Sequence, residues 1–532
     1  MANTSEAGTT KNSQGSTWLA ILLAMAMFVL VVDTTIMNVS ISAIVEDLNT
    51  TVSNVQSAIA LEALVSAAFI LIGSKIGDLY SRKRAYVLGL LGYAIGATTM
   101  TLTDNITAVY IFWAIIGGLG ASLLLPAMQS LIHGNFEGAM RKKAYALVGA
   151  ATGIAAAVGP LLGGFITTYL SWRVGFFLEV VVIVIVLVNI RLVKDIPYTG
   201  PREVDVVGSI LSVLAMGGIV LSVLVWQEGG ESVGVLMAVG LLAMVIFIRW
   251  LVKTKKQGKP TLIDPDLFKS KHFRVGISSQ MVQNIALGGM MIALPIYFQM
   301  VFEYTAMQTG LSLAPFSLSI FFISLLAGRR AGKRRASRII QAGFGILMLG
   351  IILLIPLIPQ ADSGWSFAIP LIIVGTGLGL LVSQLNNYTL SPVSEEKASE
   401  AAGVNAASGS FGLSFGLAFA GAIMLAALAF TSTYLTQAST VLSPDQQTQV
   451  AQALEEDAQI MSDTQLQEQL AGQTPEVQEE ILSINTQARN IAMQVAMLVP
   501  LIASLLGFLN SFRMVKLPDL EPSKAAEGLL MG

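Results

Sequence analysis

Residues 18–44 read WLAILLAMAMFVLVVDTTIMNVSISAI, an apolar run in which Asp33 is the single charged residue. A helix needs ~20 apolar residues to cross a bilayer, so this run reads as a membrane span. An ionisable group at bilayer depth costs at least ~2.5–3.5 kcal/mol and is functional by default. Asp33, near the middle of the run, is therefore the first residue to explain. The run is too long for a signal-peptide core, and no small-residue cleavage site follows it before the next span. Residues 1–17 are accordingly expected to be a disordered cytoplasmic N-terminus.

Further apolar runs recur along the chain. With the first, they lie at 18–44, 54–77, 85–104, 107–132, 144–169, 174–195, 206–226, 232–252, 275–302, 308–328, 339–359, 366–390, 401–430 and 489–512, fourteen in all. Composition agrees: of 532 residues, 54% are hydrophobic and only 12% charged, against about a quarter charged in soluble domains. This excludes a soluble enzyme and a disordered scaffold. The net charge of −2 does not suit a nucleic-acid partner. Cysteine is absent and only His133 and His272 are histidines, which argues against disulfides, thiol catalysis and a histidine metal site. No phosphate loop or nucleophile elbow is visible, so no cofactor and no enzymatic activity are expected. The fold class read from these runs is an all-α polytopic membrane protein.

Fourteen spans place both termini on one side. Lys and Arg concentrate on cytoplasmic loops. With the N-terminus inside, those loops hold Arg82, Lys83 and Arg84; Arg141, Lys142 and Lys143; Lys253, Lys255, Lys256 and Lys259; and the cluster from Arg329 to Arg338. Only Arg173 and Arg489 fall outside. The expected location is the plasma membrane, with N- and C-termini cytoplasmic and 513–532 as a cytoplasmic tail.

The one sizeable outer feature is 431–488, which carries nine acids and no Lys or Arg. Ser443-Pro444-Asp445-Gln446 reads as a capping box with proline in the first turn, and Thr474-Pro475-Glu476 as a second helix start running into the last span. The segment is expected to be an extracytoplasmic acidic helical hairpin loop in water. Such loops are usually just solvated; the alternative is an electrostatic funnel or a dock for an extracytoplasmic partner.

The loop SKIGDLYSRKR at 74–84 is echoed by GRRAGKRRASR at 328–338. With 206–252 set aside as a two-helix insertion, each loop follows the second helix of a six-helix half, 18–195 and 275–512. Repeated halves around a midplane site characterise secondary transporters.

In the first span, Asp33-Thr34-Thr35-Ile36-Met37-Asn38-Val39 resembles the acidic first-helix motif of the fourteen-span drug:H+ antiporters of the major facilitator superfamily. The 74–84 loop, with Asp78, Arg82 and Arg84, resembles that superfamily's inner-loop motif. Gly159-Pro160-Leu161-Leu162-Gly163-Gly164 is similar to the exporter motif, and Trp172-Arg173 and Pro295-Ile296-Tyr297-Phe298-Gln299 also fit. The resemblance covers nearly the whole chain and implies the major facilitator fold. It further implies a proton-coupled multidrug exporter of the kind that gives antibiotic resistance. It implies a gate at Asp78, Arg82 and Arg84, and close, kinked packing at Gly159, Pro160, Gly163 and Gly164. There are departures. Aligned with the family, Ala114 stands where it usually places an Arg; Glu62 replaces an expected aromatic and Glu179 an expected Asn.

Three acids thus lie well inside spans: Asp33, Glu62 and Glu179. No Lys or Arg does, so none is expected to have a basic partner in the hydrocarbon. For Glu179 a contact to Arg173 or the headgroup region is the competing reading. Candidate cavity-lining residues are Asn38, Gln283, Asn284, Tyr297, Gln299 and Asn387, with Met290 read as lipid-facing. The expected cycle exchanges protons, held on carboxylates that water can reach, for a small amphipathic or lipophilic cation; membrane lipids are the surroundings. The alternatives are an exporter of lipids, lipid-linked precursors or siderophores, and a non-transporting sensor or scaffold.

Overall fold

The computed structural model describes residues 17–136, 138–195, 204–227, 230, 232–329, 334–393, 397–457 and 463–518. The reading of 1–17, apart from Thr17, and most of the 513–532 tail lie outside them. The first group of helices is α1 Thr17–Val39, α2 Ile41–Asp47, α3 Val52–Tyr80, α4 Arg82–Leu102, α5 Ile106–Ala108, α6 Gly118–Asn135, α7 Gly138–Tyr169 and α8 Trp172–Val188. A π-helical stretch, Val109–Gly117, joins α5 to α6. An adjacent pair follows, α9 Val206–Gln227 and α10 Val233–Lys256. The second group is α11 Lys271–Met300, α12 Ala306–Arg329, α13 Ala336–Leu354, α14 Ala368–Leu390, α15 Ala398–Ala438, α16 Pro444–Asp457, α17 Asp463–Gln469, α18 Pro475–Ala496 and α19 Leu498–Lys516. There is no strand among the described residues.

Among the described residues, thirteen segments are long and apolar enough to cross a membrane. The remaining run, 174–195, forms α8, an apolar helix of 17 residues, at the short end of the range that spans a bilayer. Hydroxyl side chains open several helices: Thr51 Oγ1 accepts the Asn54 amide at 3.1 Å, Ser81 Oγ that of Arg84 at 3.0 Å, and Ser270 Oγ that of Phe273 at 3.4 Å. Each satisfies one of the amide donors a helix start leaves free.

Within the first group α1 packs on α7, and α4 and α3 pack on α6; within the second α11 packs on α15 and α19, and α14 on α12 and α13. Two seams join the groups, α7 against α12 and α3 against α15. The first is closed by small residues. A Cβ on Gly310 would lie 2.2 Å from the Pro160 carbonyl oxygen, and one on Gly164 2.5 Å from that of Ala306. Along the second, Ser414 Oγ donates to the Ala60 carbonyl at 2.8 Å. The α9–α10 pair leans on this second seam, with α9 touching both α3 and α15.

The acidic segment is not the free hairpin that its composition predicts. α15 has 41 residues and is about 60 Å long, roughly twice the hydrocarbon thickness, so it projects well beyond a bilayer. α16 and α18 pack on that projection. Leu442, Leu466, Val477, Ile481 and Ile484 are buried in the same apolar core as the spans. Asp445, Glu468, Glu476 and Glu479 are exposed while these apolar residues are covered. The two helix starts stand where the sequence puts them. Ser443 and Gln446 cap each other reciprocally, Gln446 Oε1 accepting the Ser443 amide at 3.0 Å and Ser443 Oγ the Gln446 amide at 3.4 Å. α18 continues into α19 across Met497. Arg489 is not in water: it is buried and donates to the Met300 carbonyl at 3.0 Å, at the end of α11.

Candidate transport site

Asp33 of α1 is 1% exposed. Tyr93, from α4, donates its hydroxyl to Asp33 Oδ2. Trp113 Nε1 donates to both carboxylate oxygens, at 3.1 and 3.2 Å. Trp113 comes from the π-helical stretch. A π turn takes in one more residue than an α turn, so positions along it rotate relative to a helical count. Ala114, at the position where the family usually places an Arg, is buried and has no side-chain donor to offer. Tyr93 and Trp113 are the functional candidates that the sequence reading passes over. A signal existed: both carry a polar tip in the middle of an apolar run, and such tips find a partner when buried.

Glu62 of α3 and Glu179 of α8 are the other two acids within spans. Each is close enough to Asp33 to feel its charge, and all three carboxylates act electrostatically on Tyr93. The three acids therefore form one cluster in the first helix group. Glu62 is partly exposed. Glu179 is buried, and neither of its oxygens has a hydrogen-bond partner among the described residues. None of the three acids forms an ion pair among those residues. Water access to all three is thus corrected: Asp33 and Glu179 are buried, and Glu62 is partly exposed. Glu179 does not reach Arg173 either. Arg173 is occupied elsewhere, paired with Asp47, bonded to Asp104 at 2.7 Å and to the Thr103 carbonyl at 2.6 Å. Its guanidinium lies 4.5 Å from the Trp172 ring centre, and Trp172 Nε1 itself donates to Asp47 at 2.9 Å.

The polar residues expected to line a cavity divide into two kinds. Asn38 and Gln283 are buried, each with a side-chain oxygen that has no partner among the described residues, and Asn284 is partly exposed and tied to the Gln280 carbonyl at 2.9 Å. Asn387 is partly exposed, with its Oδ1 likewise unpartnered. Tyr297 and Gln299 do not line an opening. The Tyr297 hydroxyl is bonded to the Ile358 carbonyl at 3.0 Å and to Asn490 at 2.8 Å, inside an aromatic cluster with Phe298, Phe302 and Phe367. Met290, read as lipid-facing, is fully buried.

Gln299 joins the helix groups. Its Nε2 donates to the Val39 carbonyl at 3.1 Å and its Oε1 accepts the Ser42 amide at 2.8 Å. Both backbone groups are available because the chain breaks between α1 and α2, where Ser40 has φ −104° and ψ 8°. Nearby, the Met307 amide donates to Thr168 Oγ1 at 2.9 Å, linking α12 to α7. The structure is closed at this end, the end that carries the acidic segment.

At the opposite, basic end, the Lys83 amide donates to Asp195 at 3.3 Å, which holds the α3–α4 turn within its own group. Arg82 is partly exposed and Arg84 exposed; the side chain of Asp78 lies outside what is described. Asp264, after α10, bonds Lys397 at 2.7 Å and Lys255 at 3.1 Å, and Glu400 accepts its amide. Burial opposes the Asp264 carboxylate, but hydrogen bonds from Lys397, the Asp266 amide and Lys255 outweigh it and hold its pKa at about 2. The motif glycines pack α7 tightly: a Cβ on Gly159 would meet Thr35 Oγ1 at 2.3 Å, and one on Gly163 would meet Val39 at 2.9 Å.

The family model described as Major Facilitator Superfamily matches residues 23–206 and 204–417. The chain belongs to the Major Facilitator Superfamily. Its relatives place it in the superfamily's drug-transporter group. The multidrug resistance protein Stp of Mycobacterium tuberculosis is 27% identical over 77% of this chain and 76% of that protein. The multidrug export protein EmrB of Escherichia coli is 26% identical over 73% and 76%, and the puromycin resistance protein pur8 of Streptomyces alboniger 25% identical over 80% and 84%. Among solved structures, a bacterial homologue of the human lysosomal transporter Spinster, inward-facing and unoccupied, superposes with a TM-score of 0.61. It covers 95% of this chain and 98% of its own, at 12% identity, and so speaks for the fold alone. The protein is a multi-pass membrane transporter of small molecules.

Proposed function

We propose that this transporter is a proton-coupled exporter of lipophilic cationic compounds, working by alternating access between its two helix groups, 18–195 and 275–512. The observation that carries the reading is the cluster of Asp33, Glu62 and Glu179 around Tyr93, with no Lys or Arg partner among the described residues. Carboxylates with no fixed countercharge can be neutralised by a proton or by a cationic ligand, and the two compete. Glu62, the partly exposed member, is where a proton or cation enters; Asp33 is held by two donors that a ligand must displace or share. Exchange follows from that competition: cation binding expels the proton, and reprotonation expels the cation. The named relatives, which are resistance and export proteins, support outward transport.

The closed seams favour this cargo over a lipid. α9 touches both helices of the α3–α15 seam, and glycines bring α7 close on α12, which does not favour a lateral path for acyl chains along either. The test is efflux of a cationic dye from vesicles with an imposed pH gradient. Wild type should respond to the gradient, and Asp33→Asn and Glu62→Gln should not. Gradient-driven efflux that survives both substitutions would refute the proposal.

A further inference from the structure

We propose that the cleft between the basic ends of α11 and α19 binds the phosphate headgroup of an anionic phospholipid. The cleft has a volume of about 470 Å³ and is lined by Lys271, Arg274 and Val275 from the start of α11, and by Arg513, Lys516 and Leu517 from the end of α19. No carboxylate lines it. None of the four cationic side chains has an ion pair or hydrogen bond among the described residues.

The cleft has fixed walls. Asn510 of α19 donates to the Val275 carbonyl at 3.1 Å and to Ser278 at 2.9 Å, which pins the two helices together. The chain leaving α19 is held by Arg335, which donates to the Val515 and Leu517 carbonyls at 3.2 and 3.0 Å, and by His272, whose Nε2 is 2.7 Å from the Pro518 carbonyl oxygen.

Two features point to an anion with acyl chains attached. First, Lys271 and Arg274 stand in the opening turn of a long helix, where the helix dipole disfavours cations. An anion in the cleft offsets both the dipole and the four charges. Second, Leu505, Leu509 and Phe512 are exposed at 41%, 54% and 47%. With Lys516 they follow the i, i+4, i+7, i+11 pattern of one helix face. An apolar track thus begins about 6 Å from Lys516, as a lipid with its headgroup in the cleft and its chains along α19 requires. A general excess of cations on this face explains their number but not their convergence between two helices. Basic pockets between membrane helices are suited to anionic headgroups.

The test measures lipid binding by the full chain in nanodiscs, titrating phosphatidylglycerol into phosphatidylcholine and comparing wild type with the double variant Arg274→Gln/Arg513→Gln. Each cation near the surface contributes about 1 kcal/mol, so the variant should bind the anionic lipid about thirtyfold more weakly. A matched double variant on α10, Arg249→Gln/Lys253→Gln, should bind like wild type; equal loss in both would show generic charge attraction and overturn the site. Retained affinity in the first variant, with a wild-type elution profile showing that it folds, would also overturn it. Inorganic phosphate without lipid is the last arm: occupancy by phosphate alone at equal affinity would assign the cleft to a soluble anion and overturn the lipid assignment.

Discussion

Gln299→Leu removes the one side chain that hydrogen-bonds across the closed end at both Val39 and Ser42. Leucine keeps most of the volume but can neither donate nor accept. The Ser42 amide then loses its partner in a closed interface where Gln299 is only 4% exposed. A buried donor left unpaired costs about 1–3 kcal/mol, and opening lets water satisfy it. Taking ~2 kcal/mol, the open-to-closed ratio at this end rises about thirtyfold. A protein ~1% open would become roughly a quarter open. The chain contains no cysteine, so spin labels attach only where cysteines are introduced. Glu46, on α2, and Asp362, before α14, are both exposed and belong to different helix groups. Labels at Glu46→Cys and Asp362→Cys, read by double electron–electron resonance, should show a longer-distance population growing in the Gln299→Leu background. An unchanged distance distribution, in a variant that elutes and melts like its parent, would refute the idea that Gln299 latches this end.

Further outcomes test the seams and the site. Gly310→Ala drives a Cβ against the Pro160 carbonyl, and overpacking of ~1–3 kcal/mol should lower the thermal midpoint; Gly217→Ala, inside a helix with nothing within 4 Å, should leave it unchanged or slightly raised. Trp113→Phe keeps the ring but removes a donor to Asp33; a hydrogen bond to a charged group contributes ~1.5–3 kcal/mol, so exchange should slow by about tenfold or more while the protein still folds, as vesicle efflux would report. Asp264→Asn should destabilise the basic end. The Asp264 carboxylate has its pKa at about 2, below its ordinary 3.8, so its contribution is full above about pH 4 and is lost as pH falls toward 2. The gap in thermal midpoint between wild type and Asp264→Asn should hold from pH 7 to pH 5 and close below pH 4; a gap that grows on acidification would contradict the ion-pair assignment.

The spans were legible because a bilayer demands long apolar runs, and little else in a chain produces them. The capping box at Ser443 and Gln446 was legible because it is local. The acids were legible because charge is rare at that depth. What escaped depends on rotation and long-range packing. The Trp113 bond to Asp33 joins residues 80 apart in the chain, from a π-helical stretch at Val109–Gly117 that a regular helical repeat does not anticipate. The outer helices read as a water-borne hairpin because composition does not show that α15 extends far enough to cover their apolar faces. Tyr297 and Gln299 look like cavity residues on a helical wheel, yet their partners lie on α18 and at the α1–α2 break, which no sequence spacing reveals. Met290 has the composition of a lipid contact and the position of a core residue.

On the proposed mechanism, the Asp33–Glu62–Glu179 cluster trades protons for a cation. That exchange is tested most directly by adding a lipophilic cation to purified, lightly buffered protein and following the pH. Wild type should release protons in step with binding, and Asp33→Asn/Glu62→Gln should release few or none. Undiminished release from the double variant, or cation binding to wild type with no protons released, would contradict the account.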